Sequence, residues 1–224
     1  MNRESRKAKF LEVDIYPVTC ERLSAGRSNV EVLHAVIKGS AKIIQLREKE
    51  YSGKDFYHQA LRFREITRNA GILLIINDHL DIAMAVAADG VHLGQDDLPI
   101  AAARKLAPDL LIGVSTHSLE EALQAESDGA DYVNIGPIFL TKTKEGVEHY
   151  LGPDAIGAIG PKIRGPFTVM GGINESNLDQ VLFNGARHVA VVTAITQAPD
   201  ISEAVRSLGQ RIRKSRRLSR QLEE

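Results

Sequence analysis

Short apolar runs alternate along the chain with longer amphipathic ones. Nearly continuous, β-branched runs occur at 14–20 (DIYPVTC), 41–46 (AKIIQL), 71–77 (GILLIIN), 90–94 (GVHLG), 110–115 (LLIGVS), 131–136 (DYVNIG), 167–172 (FTVMGG) and 188–193 (HVAVVT). Runs this short and uniformly apolar predict strands covered on both faces, as in a parallel sheet. Between them lie segments with helical spacing. One spans 29–39, with apolar residues at 30, 33, 36 and 37. Others span 54–71 and 80–90, closing on Gly71 and Gly90, and 174–186, which ends in Gly185. The segment 118–130 opens on Ser118 with Glu121 three residues later, the spacing of a capping box. A last helix is expected over about 201–213.

Eight strands alternating with seven or eight helices predict the α/β class and a single (β/α)8 TIM barrel. A phrase recurs at AVAADGVHLG, ESDGADYVNIG and LFNGARHVAVV. In each copy a helix stops at glycine and a strand begins within about two residues. This repeated short connection favours one barrel over an open doubly wound sheet or two domains. The 224 residues then form one domain, with its core over about 13–210. The basic tail RIRKSRRLSRQLEE (211–224) is expected as a solvated helix end or frayed terminus.

Composition narrows the function. With 43% hydrophobic and 25% charged residues the chain is globular. The 28 basic and 29 acidic residues leave a net charge of −1, so there is no chain-wide cationic field. Neither nucleic acid nor an anionic membrane is expected as a partner, and anion binding must come from a few concentrated residues. A single cysteine, Cys20, excludes an internal disulfide and a cysteine-based metal site, and is expected as a small buried hydrophobe. No run of 18 apolar residues predicts a membrane span, and the polar N-terminus lacks the apolar stretch of a secretory signal. Together these point to the cytoplasm. No residue pattern specifies an oligomer.

In such a barrel the chemistry gathers where strands end. After the second run come Gln45, Arg47 and Lys49; after the third, Asn77 and Asp78; after the fourth, Gln95, Asp96 and Asp97, just beyond His92. Ser115, Thr116 and His117 follow the fifth run, Thr141 to Lys144 the sixth, Gly171-Gly172 the seventh, and Thr193-Ala194 the eighth. Arg47, Lys49 and Lys144 supply cations, Arg as a bidentate fork and Lys as a point charge. Gly171-Gly172, ahead of a helix start expected at Asn174, and 192–194 occupy loops that often bind phosphate. Asp78 and Asp97 are hard oxygen ligands beside cations, which suits Mg2+ bridging a diphosphate. The set asks for two anions: a monophosphate and a metal-bound diphosphate.

Each of these residues has a plain structural reading when taken alone. Arg47-Glu48-Lys49 reads as a surface charge run, Asn77-Asp78 as an Asx-turn, and Asp96 or Asp97 as a helix cap before Pro99. Ser115 reads as a helix-entry residue, and His92 as a satisfied core histidine. Their joint placement at one rim is what points to a site. No Ser–His–Asp or Cys–His set and no HxxxH spacing is readable.

The strings QLREK (45–49), IND (76–78), DGVHLGQDD (89–97), GVSTH (113–117), DGADYVNIGPIFLTKTK (128–144), GGI (171–173) and GARHVAVVTAI (185–195) closely resemble thiamine phosphate synthase. In this order and spacing they cover about 13–210. The resemblance implies a transferase that joins 4-amino-2-methyl-5-hydroxymethylpyrimidine diphosphate to 4-methyl-5-(2-phosphoethyl)thiazole, with Mg2+ required. It implies early C–O cleavage to a pyrimidine-methyl cation that the thiazole nitrogen captures. It assigns Gln45 to the pyrimidine substrate, Arg47, Lys49, Asn77 and Lys144 to the diphosphate, and Asp78 and Asp97 to Mg2+. Ser115 falls near the reacting centre or leaving group, and Ser115, Lys144 and Arg47 become the catalytic set. Thr141, Thr143, Gly172, Val192 and Thr193 fall to the thiazole phosphate.

Three positions depart from the family: Thr193 stands for a frequent serine, Met170 for a smaller residue, and Leu140 for a common proline. The segment 141–151, with Gly146 and Gly152, is the expected lid. Three alternatives stay open. One is the sister thiazole tautomerase, similar around His117. Another is a silent binder of thiamine precursors. The third is a sugar-phosphate barrel using Lys142 or Lys144 as base or Schiff-base amine.

Overall fold

The structure is a computed structural model that describes residues 1–141, 143 and 149–223, the side chains of 219–223 aside. Eight strands carry the fold: β1 (Ile15–Pro17), β2 (Ile43–Leu46), β3 (Leu73–Asn77), β4 (Gly90–Leu93), β5 (Leu111–Thr116), β6 (Tyr132–Ile135), β7 (Phe167–Val169) and β8 (Val189–Val191). All are parallel, in the order β1-β8-β7-β6-β5-β4-β3-β2. A bridge from Val18 to Gln45, where the Thr19 N–H donates to the Gln45 carbonyl at 3.0 Å, closes the ring. This is the (β/α)8 TIM barrel that the alternating pattern predicts.

The helices are α1 (Arg3–Leu11), α2 (Asn29–Lys38), α3 (Gly53–Ala70), α4 (Leu80–Ala85), α5 (Ile100–Leu106), α6 (Leu119–Ser127), α7 (Asp154–Ile159), α8 (Leu178–Phe183), α9 (Thr193–Thr196) and α10 (Ile201–Glu223). Strand residues alternate between two apolar layers. Ile44, Leu46, Leu74, Ile76, Ile112 and Val133 face outward onto the helices. Ile43, Leu73, Ile75, Leu111 and Ala190 fill the interior with Tyr16 and Tyr132. Both faces of each strand are thus dry, which is why the runs read as continuous and not as alternating. No helix among the described residues is long and apolar enough to cross a membrane.

Several helix ends differ from the expected ones. The segment 80–90 stops being helical at Ala85, and Ala87 makes the left-handed turn at φ 51°. Gly90 is a strand residue: a Cβ there would meet the Leu111 carbonyl at 2.6 Å. Ser118 does cap α6, accepting from the Glu121 N–H at 3.1 Å, but Glu121 reaches back to the N–H of His117 at 2.7 Å. The reciprocal capping box lies instead at α2, where Ser28 and Glu31 exchange both bonds. The expected helix start at Asn174 is a turn, with α8 beginning at Leu178.

At the N-terminal ends of the strands sits a layer of buried carboxylates. Asp89, just before β4, accepts from the Leu74 N–H at 3.0 Å and pairs with Arg64 at 2.7 Å. Asp131, just before β6, accepts from the Ile112 N–H at 2.8 Å and pairs with Arg3 and Arg104 at 2.7 and 2.5 Å. Each therefore covers a strand's free backbone donor and is in turn neutralised by arginine. These aspartates are the ones in the recurring phrase. In its third copy the position is Arg187, and the next residue, His188, places its Nδ1 2.7 Å from the Val13 carbonyl. Over this layer α1 lays Arg6 and Phe10, and the Phe10 ring stacks on Tyr132 at 4.3 Å. The basic tail is not frayed where it meets the barrel: in α10, Arg213 pairs with Asp14, and Arg216 reaches the Val13 carbonyl at 2.5 Å.

Candidate active site

The opposite rim carries the polar residues. After β2 the chain turns under two anchors: the Arg47 N–H donates to Thr19 Oγ1 at 2.9 Å, and the Glu48 carboxylate accepts from the Glu21 N–H at 2.9 Å. Burial raises the Glu48 carboxyl above its usual range. Glu48 is thus fastened inward, against the first loop. On either side of it, Arg47 and Lys49 line a cavity of about 660 Å3 together with Cys20, Glu21, Tyr51 and Thr143. The charge run is therefore not simply solvated. Cys20 is itself buried, as expected.

Asn77 ends β3 and is buried. Asp78, next in the chain, holds a left-handed backbone at φ 60°, its N–H donating to the His92 carbonyl at 2.8 Å. Asp and Asn tolerate this region better than other non-glycine residues. The bend sends the Asp78 carboxylate to the Lys49 ammonium, with which it is ion-paired. Asp97 accepts from the Gly94 N–H at 2.6 Å. Neither Asp96 nor Asp97 caps α5, whose cap position is Pro99. Burial raises the Asp97 carboxyl above its usual range, and the neighbouring Asp78 carboxylate raises it further. Two facing carboxylates with a lysine beside them form a place that a divalent cation relieves. Among the described residues no cluster of three or more His, Cys, Asp or Glu is placed to hold a metal.

Ser115, near the end of β5, is half-buried, with its Oγ 3.0 Å from His92 Nε2. The His92 ring is buried and its Nδ1 lies 3.2 Å from the Tyr132 hydroxyl. Burial pushes this imidazole down to about pH 4, so it is neutral at pH 7. It is the satisfied core histidine expected, though one whose partner is a candidate site residue. Gln45, buried inside the barrel, donates through Nε2 to the Tyr16 hydroxyl at 3.0 Å. His117 turns away from this group, its Nδ1 2.5 Å from the Gly136 carbonyl.

The other half of the rim follows β6, β7 and β8. The loop after β6 is clamped to the glycine pair: Ile138 donates to the Met170 carbonyl at 2.9 Å and Phe139 to the Gly171 carbonyl at 3.0 Å. Gly171 and Gly172 have φ 107° and 61°, and a Cβ on Gly172 would sit 2.5 Å from the Leu140 carbonyl. Glycine is thus required here by chain packing, whatever binds above it. The Thr143 N–H donates to Thr141 Oγ1 at 3.2 Å. Val192 follows β8 as the cap position of the four-residue α9, which Thr193 opens. Lys142, Lys144 and most of the expected lid lie outside the described residues. The structure thus gathers Gln45, Arg47, Lys49, Asn77, Asp78, Asp97 and Ser115 at the ends of β2 to β5, and Thr141, Gly172, Val192 and Thr193 at the ends of β6 to β8.

Residues 15–195 match the family described as thiamine monophosphate synthase. The chain belongs to the thiamine monophosphate synthase family. A thiamine-phosphate synthase of Chloroflexus aurantiacus is 46% identical over 201 residues, covering 90% of this chain and 93% of that one. One from Pelotomaculum thermopropionicum is 46% identical over 209 residues, covering 93% and 96%. Among solved structures, a thiamine phosphate pyrophosphorylase from Pyrococcus furiosus superposes with a TM-score of 0.84 at 34% identity, over 93% of this chain and 98% of that one. The family expected from the strings is the one found. Sequence reasoning passed over two interior residues that touch the site: Tyr16 and Tyr132. Their signal was a tyrosine inside an otherwise aliphatic strand, since a buried hydroxyl requires a partner.

Proposed function

We propose that this chain is a thiamine-phosphate synthase, joining the pyrimidine diphosphate to the thiazole phosphate and releasing diphosphate. The observation that carries the reading is the arrangement of Arg47, Lys49, Asp78 and Asp97 on one rim. Two cations line a cavity, and two carboxylates face each other beside one of them. That is the charge pattern a metal-bound diphosphate requires.

In this reading Gln45 orients the pyrimidine. Arg47, Lys49, Asn77 and Lys144 hold the diphosphate oxygens, and Ser115 donates to the leaving group. Asp78 and Asp97 hold Mg2+, and their carboxylate oxygens fit such an ion. When bound, Mg2+ neutralises the charge that builds on the departing diphosphate. As the C–O bond breaks, its electron pair leaves with the diphosphate, and the thiazole nitrogen lone pair then forms the new C–N bond. Thr141, Thr143, Gly172, Val192 and Thr193 hold the thiazole phosphate so that its nitrogen faces the methylene carbon. The packed barrel interior below the rim excludes water, which would otherwise capture the cation. The reaction runs in the cytoplasm, where the lone buried thiol of Cys20 stays reduced.

Calorimetric titration of Mg2+ into the protein with inorganic diphosphate tests the metal assignment. Asp78→Asn and Asp97→Asn should each weaken Mg2+ binding about tenfold or more. Unchanged affinity in both would remove these carboxylates from the metal site.

A further inference from the structure

A single line of hydrogen bonds crosses the barrel interior from one proposed substrate residue to another. Gln45 Nε2 lies 3.0 Å from the Tyr16 hydroxyl, which lies 3.0 Å from the Tyr132 hydroxyl. The Tyr132 hydroxyl lies 3.2 Å from His92 Nδ1, and His92 Nε2 lies 3.0 Å from Ser115 Oγ. The line draws on β1, β2, β4, β5 and β6. It exists because Gly113, which pairs in register with both His92 and Tyr132, has no side chain. A Cβ on Gly113 would overlap the Tyr132 ring.

The chemistry of the end groups fixes which way every proton points. An amide Nε2 can only donate, so the Tyr16 oxygen accepts from Gln45 and must spend its own proton on Tyr132. Tyr132, having accepted, donates to His92 Nδ1. A neutral imidazole has one donor and one acceptor nitrogen, so Nε2 carries the proton and donates to Ser115 Oγ. No carboxylate hydrogen-bonds to this ring among the described residues. Ser115 is left with its hydroxyl proton free to point out of the barrel.

We propose that Tyr16, Tyr132 and His92 are positioning residues whose one-way hydrogen-bond chain turns the Ser115 hydroxyl into a fixed donor aimed at the rim. A fixed donor suits an anionic oxygen, and, resting on the proposed function, that oxygen belongs to the leaving diphosphate. The chain also ties the Gln45 side chain: with Nε2 engaged, its carbonyl oxygen is the atom left to accept from the pyrimidine. Neither residue has to reorient when substrate arrives, which is the condition for efficient electrostatic stabilisation.

The test is nitrogen-15 NMR of the histidine side chains in the full-length, substrate-free protein at pH 7.5. The His92 signal is assigned by its loss in His92→Gln. The chain requires the Nε2–H form with Nδ1 unprotonated. An Nδ1–H or doubly protonated ring would overturn it. This readout needs no turnover, so an Nε2–H ring in a protein inactive on the proposed substrates would leave the chain standing and fell the functional reading alone. A kinetic arm separates positioning from mere packing. His92→Gln can accept from Tyr132 and donate to Ser115, so it should keep most of kcat. His92→Phe fills the space without either bond, and should lose about a hundredfold in kcat with KM little changed. Equal kcat losses in the two folded variants would contradict the chain.

Discussion

At the residue scale, most of the proposed chemistry falls to groups whose geometry is set by one or two anchors. Arg47 and Lys49 flank Glu48, which is tied to the Glu21 backbone. On the proposed function, removing either cation would take charge from the leaving group and nothing from the core. Arg47→Ala should lower kcat/KM by about two orders of magnitude while leaving the urea midpoint within experimental error. Unchanged turnover would contradict the diphosphate assignment. The buried histidines give a different signal. His92 and His188 are both pushed down to about pH 4, by burial first and, for His188, by Arg216 second. Unfolded, each returns to about 6.5. Between those values the unfolded chain binds more protons, so stability rises with pH across the window and is lost as pH falls through it. The full excursion is worth about 3 kcal/mol per histidine. Urea unfolding at pH 7 and pH 5 should therefore show a clear loss at the lower value. A flat profile would mean that these rings are not buried neutral. Rim positions were legible where charge was out of place at a strand end, as with Asp78. The roles of Tyr16 and Tyr132 were not legible, because strand sequence alone does not say which interior side chains meet across a barrel.

At the scale of elements, all eight strands were readable because each run is dry on both faces, and the helices were readable only where amphipathic. The N-terminal segment was read as polar chain. It forms α1 because Asn2 caps it, accepting from the Ser5 N–H at 3.0 Å, and because Phe10 and Arg6 find partners across the barrel floor. Those partners lie 80 or more residues away, beyond the reach of local pattern. The same holds for the tail, whose arginines looked solvated but meet Asp14 and the Val13 carbonyl. The docking of α1 onto the floor has its own energetic signature. Phe10 is 2% exposed and stacked on Tyr132. Phe10→Ala should cost about 3–5 kcal/mol of unfolding free energy. A loss below about 1 kcal/mol, the level typical of surface changes, would show that α1 is an ornament to the floor and not part of it.

For the whole molecule, the two ends of the barrel have divided labour. The floor spends its charges on each other: Asp14, Asp89 and Asp131 are each paired with arginine and each cover a backbone donor. The rim leaves Arg47 and Asp97 without an ion-pair partner among the described residues, and its pairing of Lys49 with Asp78 is open to rearrangement by a ligand. The recurring helix–glycine–strand phrase foretold the floor without revealing its purpose, since the aspartate in it is a ladder cap and not a ligand. The rim set was legible as a group because the barrel itself converts scattered sequence positions into one ring.

The most direct test is to incubate the purified protein with the pyrimidine diphosphate and the thiazole phosphate and to follow thiamine phosphate by thiochrome fluorescence. The same mixture with EDTA in place of Mg2+ is the control. The account predicts product that requires both substrates and Mg2+ and that disappears on chelation. No product from protein that is folded by circular dichroism, or product that survives EDTA, would contradict it.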